Sequence, residues 1–267
     1  MLLNDDNLSK TLKIEIPRRN QKVLIANFYK TDVHQIKKPP LVILLHGFPG
    51  DKLEAGRFPP MAKKLNENSI DAVAIDFAGY GENEREPVLL SKQIENLEDV
   101  YKWAQNKGYS SIGTLGLSMG GITSLLADLP DRKVAVFWAP AFYMTKIVRK
   151  AGKSFAGFWF RVLKKPIRFS NKKHEKVTIN QQFIDEIFQK PPEAIDVKLA
   201  NFNTPALIIQ GTTDLAVFPK WSKHAYSKMP QDEHHKIECV KRSGHGFRGD
   251  KLKQFIDHSM DMFKRYL

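Results

Sequence analysis

The feature that most constrains the fold is the stretch at residues 112–123, which reads IGTLGLSMGGIT. An apolar run that suits a buried strand leads into GLSMG at residues 116–120, and a helix-capable run, ITSLLADL, follows. A strand, G-x-S-x-G and a helix in this order are typical of a sharp turn that holds a serine in strained backbone at a strand tip. The turn needs small residues two before and two after the serine, and Gly116 and Gly120 are there. The stretch therefore predicts that Ser118 is an exposed nucleophile between a strand and a helix.

Apolar runs alternate with helical patterns along the rest of the chain. LVILL at 41–45 is apolar throughout, as expected of a strand covered on both faces of a parallel sheet. An antiparallel hairpin is predicted at 12–17 and 23–28, further strands at 70–77, 134–138, 205–211 and 235–240, and helices at 56–68, 89–106, 221–229 and 252–266. This alternation predicts an α/β fold with a mostly parallel sheet and helices on both faces.

Bulk properties limit the class of protein. A chain of 267 residues with 42% hydrophobic residues can build one large α/β domain or two small ones. The first ten residues carry two aspartates and no apolar core of signal-peptide length, and no run reaches the roughly 18 apolar residues of a membrane span. Cys239 has no second cysteine to pair with, which agrees with a reducing compartment. We expect a cytoplasmic protein.

The net charge of +13 is concentrated in one segment. Residues 141–190 contain twelve Lys or Arg against three acids, a surplus of nine that leaves only +4 for the other 217 residues. No helix-turn-helix, zinc-finger or RNA-binding pattern accompanies this charge, so a nucleic-acid partner is not expected. The segment also lacks a clear strand. We therefore predict a basic, aromatic-rich insertion at 141–196 between two parts of one core, 1–140 and 197–267.

A serine hydroxyl needs a base, and His245 is the best-placed candidate. It lies in SGHGF at 243–247, directly after the last predicted strand and before the last helix. Its two flanking glycines give the loop freedom to aim the ring. Six of the remaining histidines lie in a linker, in the insertion, inside predicted helices or before the last strand: His34, His174, His224, His234, His235 and His258.

An acid should orient that base, and Asp214 is favoured. It ends QGTTD, just past the strand at 206–210. Asp196 and Asp232 remain alternatives, although each precedes a strand instead of following one. Asp214 could also be a turn residue that binds its own backbone.

Two N–H donors are needed for the oxyanion of a tetrahedral intermediate. One should be the amide of Met119, directly after the nucleophile. The other should come from HGFPG at 46–50, after the strand at 41–45. Because Pro49 has no N–H, Phe48 is the expected donor.

HGFPG, DFAGYG, GLSMGG, QGTTD and SGHGF together resemble the α/β-hydrolase superfamily, in its chain order of nucleophile, acid and histidine. HGFPGDK and DFAGYGEN are most similar to small esterases of the feruloyl (cinnamoyl) esterase and serine-aminopeptidase-like (S33-type) group. Ala78 and Asn83 depart from the common form of the second motif, where Asp76 is expected to be structural. Within this resemblance, a serine in place of an aspartate at the turn argues against the haloalkane-dehalogenase and epoxide-hydrolase branches. The chain has no HExxH motif and no paired-histidine spacing that would indicate metal-dependent hydrolysis.

The resemblance implies that the protein cleaves small carboxylic esters through an acyl-enzyme, without a cofactor. A thioesterase, amidase or peptidase would use the same triad, and a non-catalytic binding protein of the same fold is the alternative outside enzymes. The resemblance also implies that the insertion after the sixth strand is a cap over the site.

If residues 147–164 of the insertion form a helix, the helix has an apolar face and a basic face. The apolar face would carry Ile147, Val148, Ala151, Phe155, Phe158, Trp159 and Val162, and the basic face Arg149, Lys150, Lys153, Arg161 and Lys164. The basic face is expected either to be solvated or to meet an anionic membrane surface or an anionic substrate.

Overall fold

A computed structural model describes residues 11–31, 38–151, 167–170 and 176–267. Its strands are β1 (Thr11–Pro17), β2 (Val23–Tyr29), β3 (Leu41–Leu45), β4 (Asp71–Ile75), β5 (Ile112–Leu117), β6 (Val134–Trp138), β7 (Ile167–Ser170), β8 (Lys176–Ile179), β9 (Ala206–Gly211) and β10 (His235–Val240). Its helices are α1 (Phe58–Asn66), α2 (Leu90–Asn106), α3 (Met119–Leu126), α4 (Met144–Ala151), α5 (Gln181–Phe188), α6 (Pro192–Ala200), α7 (Pro219–Lys228) and α8 (Asp250–Tyr266).

Within these ranges, eight strands form one sheet in the order β1-β2-β4-β3-β5-β6-β9-β10. β2 pairs antiparallel with β1 and β4, and every other neighbouring pair is parallel. The mostly parallel sheet predicted from the sequence is therefore confirmed. Leu45 lies opposite both Ile75 and Gly116, so the carboxyl ends of three adjacent strands meet at one edge.

Alternate side chains of the central strands pack into two separate hydrophobic cores, one on each face of the sheet. Val136 and Trp138 of β6 face a core shared with α1 and α8, whereas Ala135 and Phe137 face one shared with α2, α3, α6 and α7. All residues of β6 are buried because helices cover the sheet on both faces, as predicted. No helix among the described residues is long and apolar enough to cross a membrane.

The insertion after β6 contains more regular structure than the sequence suggested. β7 and β8 pair antiparallel in a separate sheet, so the expectation of no clear strand was wrong. At four residues each, these strands are too short for a period-2 pattern to stand out. The predicted boundary at Asp196 falls inside α6, a continuous helix.

Only part of the predicted amphipathic helix lies in the described ranges. α4 ends at Ala151, and Val148 packs against the core on its apolar side. Lys150 is exposed, but its ammonium donates a hydrogen bond to Leu215 O (2.6 Å) and lies 3.8 Å from the centre of the Phe218 ring. The remaining predicted face residues lie outside the described residues: Lys153, Phe155, Phe158, Trp159, Arg161, Val162 and Lys164.

The packing of α8 on the sheet yields a stability prediction. Phe255 is fully buried, stacks on Phe247 with 3.8 Å between ring centres, and meets Trp138 edge-on. Phe255→Ala should lower the free energy of unfolding by about 3–5 kcal/mol, because it removes apolar contacts and leaves a cavity. Val197→Ala, at a side chain that is 64% exposed on α6, should change it by less than about 0.5 kcal/mol. Urea unfolding at pH 7 measures both, and equal effects would contradict the prediction.

Candidate active site

Ser118 lies at the turn between β5 and α3 in strained backbone. Its φ is 51° and its ψ is −111°, a conformation that costs on the order of 1–3 kcal/mol for a residue with a side chain. The main chain holds it there: Ser118 N donates to Trp138 O (2.9 Å), and Ser118 O accepts from Gly121 N (3.0 Å) and Ala141 N (2.9 Å). Ser118 is partly exposed at the sheet edge.

The two glycines that flank this turn stand at backbone contacts that exclude a side chain. A Cβ on Gly116 would lie 2.4 Å from Gly120 O, and a Cβ on Gly120 would lie 2.2 Å from Leu45 O. The first turn of α3 therefore packs directly on the end of β3. This contact brings the turn after β5 next to the loop after β3.

Asp214 follows β9 and is almost completely buried. Its Oδ1 accepts from the amides of Ala216 and Val217, both at 2.9 Å. Its Oδ2 accepts from Gln210 Nε2 (3.2 Å) and makes a 2.7 Å hydrogen bond with His245 Nδ1. Four donors thus surround the carboxylate, and one of them is the predicted base.

His245 follows β10, and its side chain is 28% exposed. Because Nδ1 faces a carboxylate, Nδ1 carries the proton and Nε2 keeps its lone pair in the neutral ring. The structure brings Asp214 and His245 into contact. It places Ser118 at the same sheet edge, with β6 and β9 between β5 and β10, but Ser118 and His245 share no hydrogen bond. Catalytic hydrogen bonds are commonly long before substrate binds.

The alternative acids are engaged elsewhere. Asp196 accepts a 2.6 Å hydrogen bond from Tyr143 OH and lies 3.2 Å from His224 Nε2. Asp232 Oδ1 lies 2.7 Å from His235 Nδ1, whose other ring nitrogen faces Phe202 O. His34 and His174 lie outside the described residues.

The loop at residues 46–50, here the oxyanion loop, lies against the serine. A Cβ on Gly47 would be 3.1 Å from Ser118 Cβ. In the part of the chain that the structure describes, the amides of Phe48 and Met119 donate no hydrogen bond. Two unused N–H groups beside Ser118 are available for a bound oxygen.

His46 joins the oxyanion loop to β4. Its Nε2 accepts from Phe77 N (3.1 Å), so its proton must be on Nδ1, which lies 2.8 Å from Gly47 O. The ring packs edge-on against both Phe77 and Tyr80. His46 is therefore a neutral support for the loop.

Buried charges anchor the chain beyond the oxyanion loop. Asp76 accepts from Lys52 N (2.6 Å) and Lys52 Nζ (2.7 Å), and Lys52 Nζ also binds Glu82 (2.5 Å). Burial alone would lower the pKa of Lys52, but its hydrogen bonds to the two carboxylates outweigh burial and raise that pKa. Asn83 donates to Asp76 O and Phe77 O, which gives this side chain a structural role.

Aromatic side chains pack against the oxyanion loop. Phe48 meets Tyr80 edge-on at 6.3 Å and Phe169 of β7 at 4.9 Å between ring centres. Tyr80 is fully buried, and burial raises its pKa well above the ordinary value. Phe169 belongs to the insertion, so the insertion contacts the oxyanion loop directly.

Several residues of this arrangement were not identified from the sequence. Gln210 Nε2 donates to Asp214, and its Oε1 accepts from Ser222 Oγ (2.6 Å), which orients the amide. Glu54 accepts from Gly47 N (2.6 Å) and pairs with Arg57. Gln210 begins the QGTTD motif, and Glu54 lies two residues after HGFPGDK. The sequence spacing does not show which residues these two side chains contact. No group of three or more His, Cys, Asp or Glu among the described residues could hold a metal ion.

Close packing at the serine turn can be tested with two alanine substitutions. Gly120→Ala should lower the free energy of unfolding by about 1–3 kcal/mol, because its Cβ would overlap Leu45 O and the backbone must shift. Gly244→Ala is the control, since within the described ranges its Cβ would approach only Thr213 O, at 3.8 Å. Chemical denaturation compares them, and a Gly120→Ala protein as stable as the control would refute the close contact.

A pH-dependent effect is expected at Glu82. Hydrogen bonds from Lys13 and then Lys52 lower the pKa of Glu82 from 4.5 to about 2. A depressed carboxyl pKa adds stability above about pH 4.5 and loses it as the pH falls toward 2. Because Glu82 is 46% exposed, solvent screening limits this contribution to about 1 kcal/mol or less.

Glu82→Gln should therefore lower the free energy of unfolding at pH 7, and the difference from the unsubstituted protein should shrink by about half or more at pH 3. Glu84→Gln, at an ion pair with a 77% exposed carboxylate, is the control and should have little effect. Urea titrations from pH 7 to pH 3 give the difference, and a constant difference would contradict the linkage.

Known proteins share both sequence and fold with this chain. A family model described as Hydrolase_4, serine aminopeptidase S33, matches residues 37–192, more than half of the chain. A carboxylesterase of Bacillus subtilis (strain 168) is 24% identical over 237 residues, which is 83% of this chain and 91% of the relative.

Among solved structures, Est1E from Butyrivibrio proteoclasticus superposes with a TM-score of 0.73 at 19% identity, covering 94% of this chain and 99% of Est1E. Another structure shows ferulic acid bound to Est1E. The Pyrococcus furiosus esterase Pf2001 gives a TM-score of 0.70 at 17% identity, covering 96% and 93% of the two chains. These likenesses show the α/β-hydrolase fold, and the family match shows that the chain belongs to the serine aminopeptidase-like (S33) hydrolases.

Proposed function

We propose that this protein is a serine hydrolase that cleaves carboxylic esters through an acyl-enzyme. The observation that carries the proposal is the 2.7 Å hydrogen bond between His245 Nδ1 and the buried Asp214, at the sheet edge where Ser118 lies. A histidine held in this way presents Nε2 as a base. The carboxylesterase relative and the esterase folds support an ester as the substrate.

Acylation begins when Ser118 Oγ attacks the ester carbonyl and His245 Nε2 takes the hydroxyl proton. Asp214 holds the ring and stabilises its charged form. The carbonyl oxygen becomes an oxyanion that accepts hydrogen bonds from the amides of Phe48 and Met119. Losing such a donor typically costs about 3 kcal/mol of transition-state stabilisation.

Collapse of this intermediate breaks the bond between the carbonyl carbon and the leaving oxygen. His245 gives its proton to that oxygen, the alcohol leaves, and the acyl group remains on Ser118. A water then attacks the acyl carbonyl while His245 takes one of its protons. The second collapse releases the carboxylic acid and returns the proton to Ser118 Oγ.

We further propose that the insertion at 141–196 is a cap that lines the acyl side of the site. Two contacts between the insertion and the core support this role. Phe169 of β7 packs on Phe48 of the oxyanion loop. Lys150 of α4 bonds Leu215, the residue after the acid.

Amide or peptide hydrolysis is the second candidate, because the family model describes serine aminopeptidases. A site for a free amino terminus would need a carboxylate to bind the ammonium group. Glu54, Asp76 and Glu82 each already bind a cation of the chain itself. Their engagement makes these three carboxylates poor sites for an ammonium group. Rates with matched ester, thioester and aminoacyl-amide substrates at equal concentration decide between the classes.

Removing the nucleophile tests the proposal. Ser118→Ala should reduce turnover of p-nitrophenyl butyrate by roughly 10⁴–10⁶-fold, since no hydroxyl remains to form the acyl-enzyme. Ser227→Ala is the matched control, because Ser227 is exposed on α7 and, among the described residues, its hydroxyl donates only to His224 O. Circular dichroism should show the same fold for both variants.

A fluorophosphonate probe distinguishes the outcomes. The unsubstituted protein and Ser227→Ala should be labelled, and Ser118→Ala should not. Retained ester turnover by Ser118→Ala would overturn the assignment of the nucleophile. A folded, unsubstituted protein that neither reacts with the probe nor hydrolyses any of the substrates would instead indicate a non-catalytic binding protein of this fold.

A further inference from the structure

We propose that Glu54 and Arg57 are positioning residues that join the oxyanion loop to the loop that carries His245, an inference that rests on the proposed function. The histidine loop here is residues 243–247. Neither Glu54 nor Arg57 belongs to the triad or to the pair of oxyanion donors. Their contacts nevertheless connect the two loops that would have to be aligned for acyl transfer.

Glu54 binds the backbone of the oxyanion loop. Its Oε2 accepts a 2.6 Å hydrogen bond from Gly47 N, next to the Phe48 amide proposed to bind the oxyanion. The carboxylate also fills the space beside Gly50, where a Cβ would lie 2.8 Å from Oε2. Movement of this carboxylate would therefore shift Gly47, the residue directly before Phe48.

Arg57 connects Glu54 to the histidine loop. One guanidinium nitrogen, Nη1, donates to Glu54 Oε1 (2.9 Å), and Nε donates to Phe247 O (3.2 Å), two residues after His245. The guanidinium also lies 5.2 Å from the centre of the Phe247 ring. A planar group with several N–H donors can make these contacts together, whereas a lysine ammonium cannot span them.

The short turn that places this pair is strained. Glu54 has φ 46° and Ala55 has φ 52°, followed by Gly56 at 86°. Two consecutive residues with side chains in this region cost on the order of 1–3 kcal/mol each. Such backbone persists where surrounding contacts hold it, and the bonds of Glu54 and Arg57 supply those contacts. Strain of this kind concentrates at functional sites.

Because the ion pair of Glu54 and Arg57 is buried, a contribution to stability is a weak explanation for its presence. The Glu54 and Arg57 side chains are only 8% and 9% exposed, and burial lowers the pKa of Arg57, partly opposed by Glu54. Removing two charges from water consumes most of the energy of their attraction, so buried ion pairs are poor stabilisers. What this pair supplies is a link between parts of the chain that are 190 residues apart.

Two conservative variants test the role. Glu54→Gln removes the charge and turns an amide N–H₂ toward either Arg57 or Gly47 N, while Arg57→Lys keeps the charge but cuts the link to Phe247 O. In both, kcat for p-nitrophenyl butyrate should fall by about 10–100-fold with KM within about twofold, because misplaced groups act on the transition state. Inhibition by a trifluoromethyl ketone, which mimics the oxyanion, should weaken by a similar factor.

Two control variants distinguish misplaced catalytic groups from a general loss of protein stability. Glu67→Gln breaks an exposed ion pair with Lys64 at the same three-residue spacing. Glu86→Gln breaks the ion pairs of Glu86 with Arg18 and Lys92, neither of which belongs to the oxyanion loop or the histidine loop. The Glu86 and Arg18 side chains are 12% and 5% exposed. Both controls should keep kcat within about twofold, and urea unfolding should show whether each variant is folded under assay conditions.

The outcomes are distinct. A kcat within twofold of the unsubstituted protein in the folded variants would overturn the inference, and so would an equal loss of kcat in Glu86→Gln. If Glu54→Gln does not fold, the result with Arg57→Lys decides. If fluorophosphonate labels Ser118 while both variants keep their kcat, only this inference fails. If Ser118 is not labelled and Ser118→Ala remains active, the proposed function itself fails.

Discussion

The contact between the first turn of α3 and the end of β3 is the constraint on which the candidate site depends. A Cβ on Gly120 would lie 2.2 Å from Leu45 O, so only glycine permits this approach. Because the two backbones touch, the amide of Met119 and the loop that carries Phe48 both lie beside Ser118. Sheet order then brings the loops after β9 and β10 to the same edge.

Around this contact, the site is built from groups that are already paired within the protein. Asp214 receives four hydrogen bonds, Lys52 lies between two carboxylates, and Glu54 binds both Gly47 N and Arg57. Buried polar groups without partners would be costly, and paired ones hold their neighbours in place. Among the described residues, the amides of Phe48 and Met119, which are proposed to bind the oxyanion, donate to no group of the chain. Such prepared donors need little reorganisation when charge develops on a substrate.

Features that depend on neighbouring residues were predictable, and those that depend on distant partners were not. The turn at Ser118 and the strands around it followed from local apolar patterns and from glycine spacing. The strand β7 was missed because four residues do not establish a period. The role of Arg57 was missed because its partner Phe247 O is 190 residues away, and no local pattern reports such a contact.

The sequence by itself determined the α/β alternation and the glycine-flanked serine, because each is a property of short stretches of chain, and it set the order of Ser118, Asp214 and His245. Only the tertiary structure decided that His245 pairs with Asp214 while His224 pairs with Asp196. The physical reason is that strand order and loop packing determine which side chains meet. Several histidines and aspartates offer the same functional groups, and only their positions in space distinguish them.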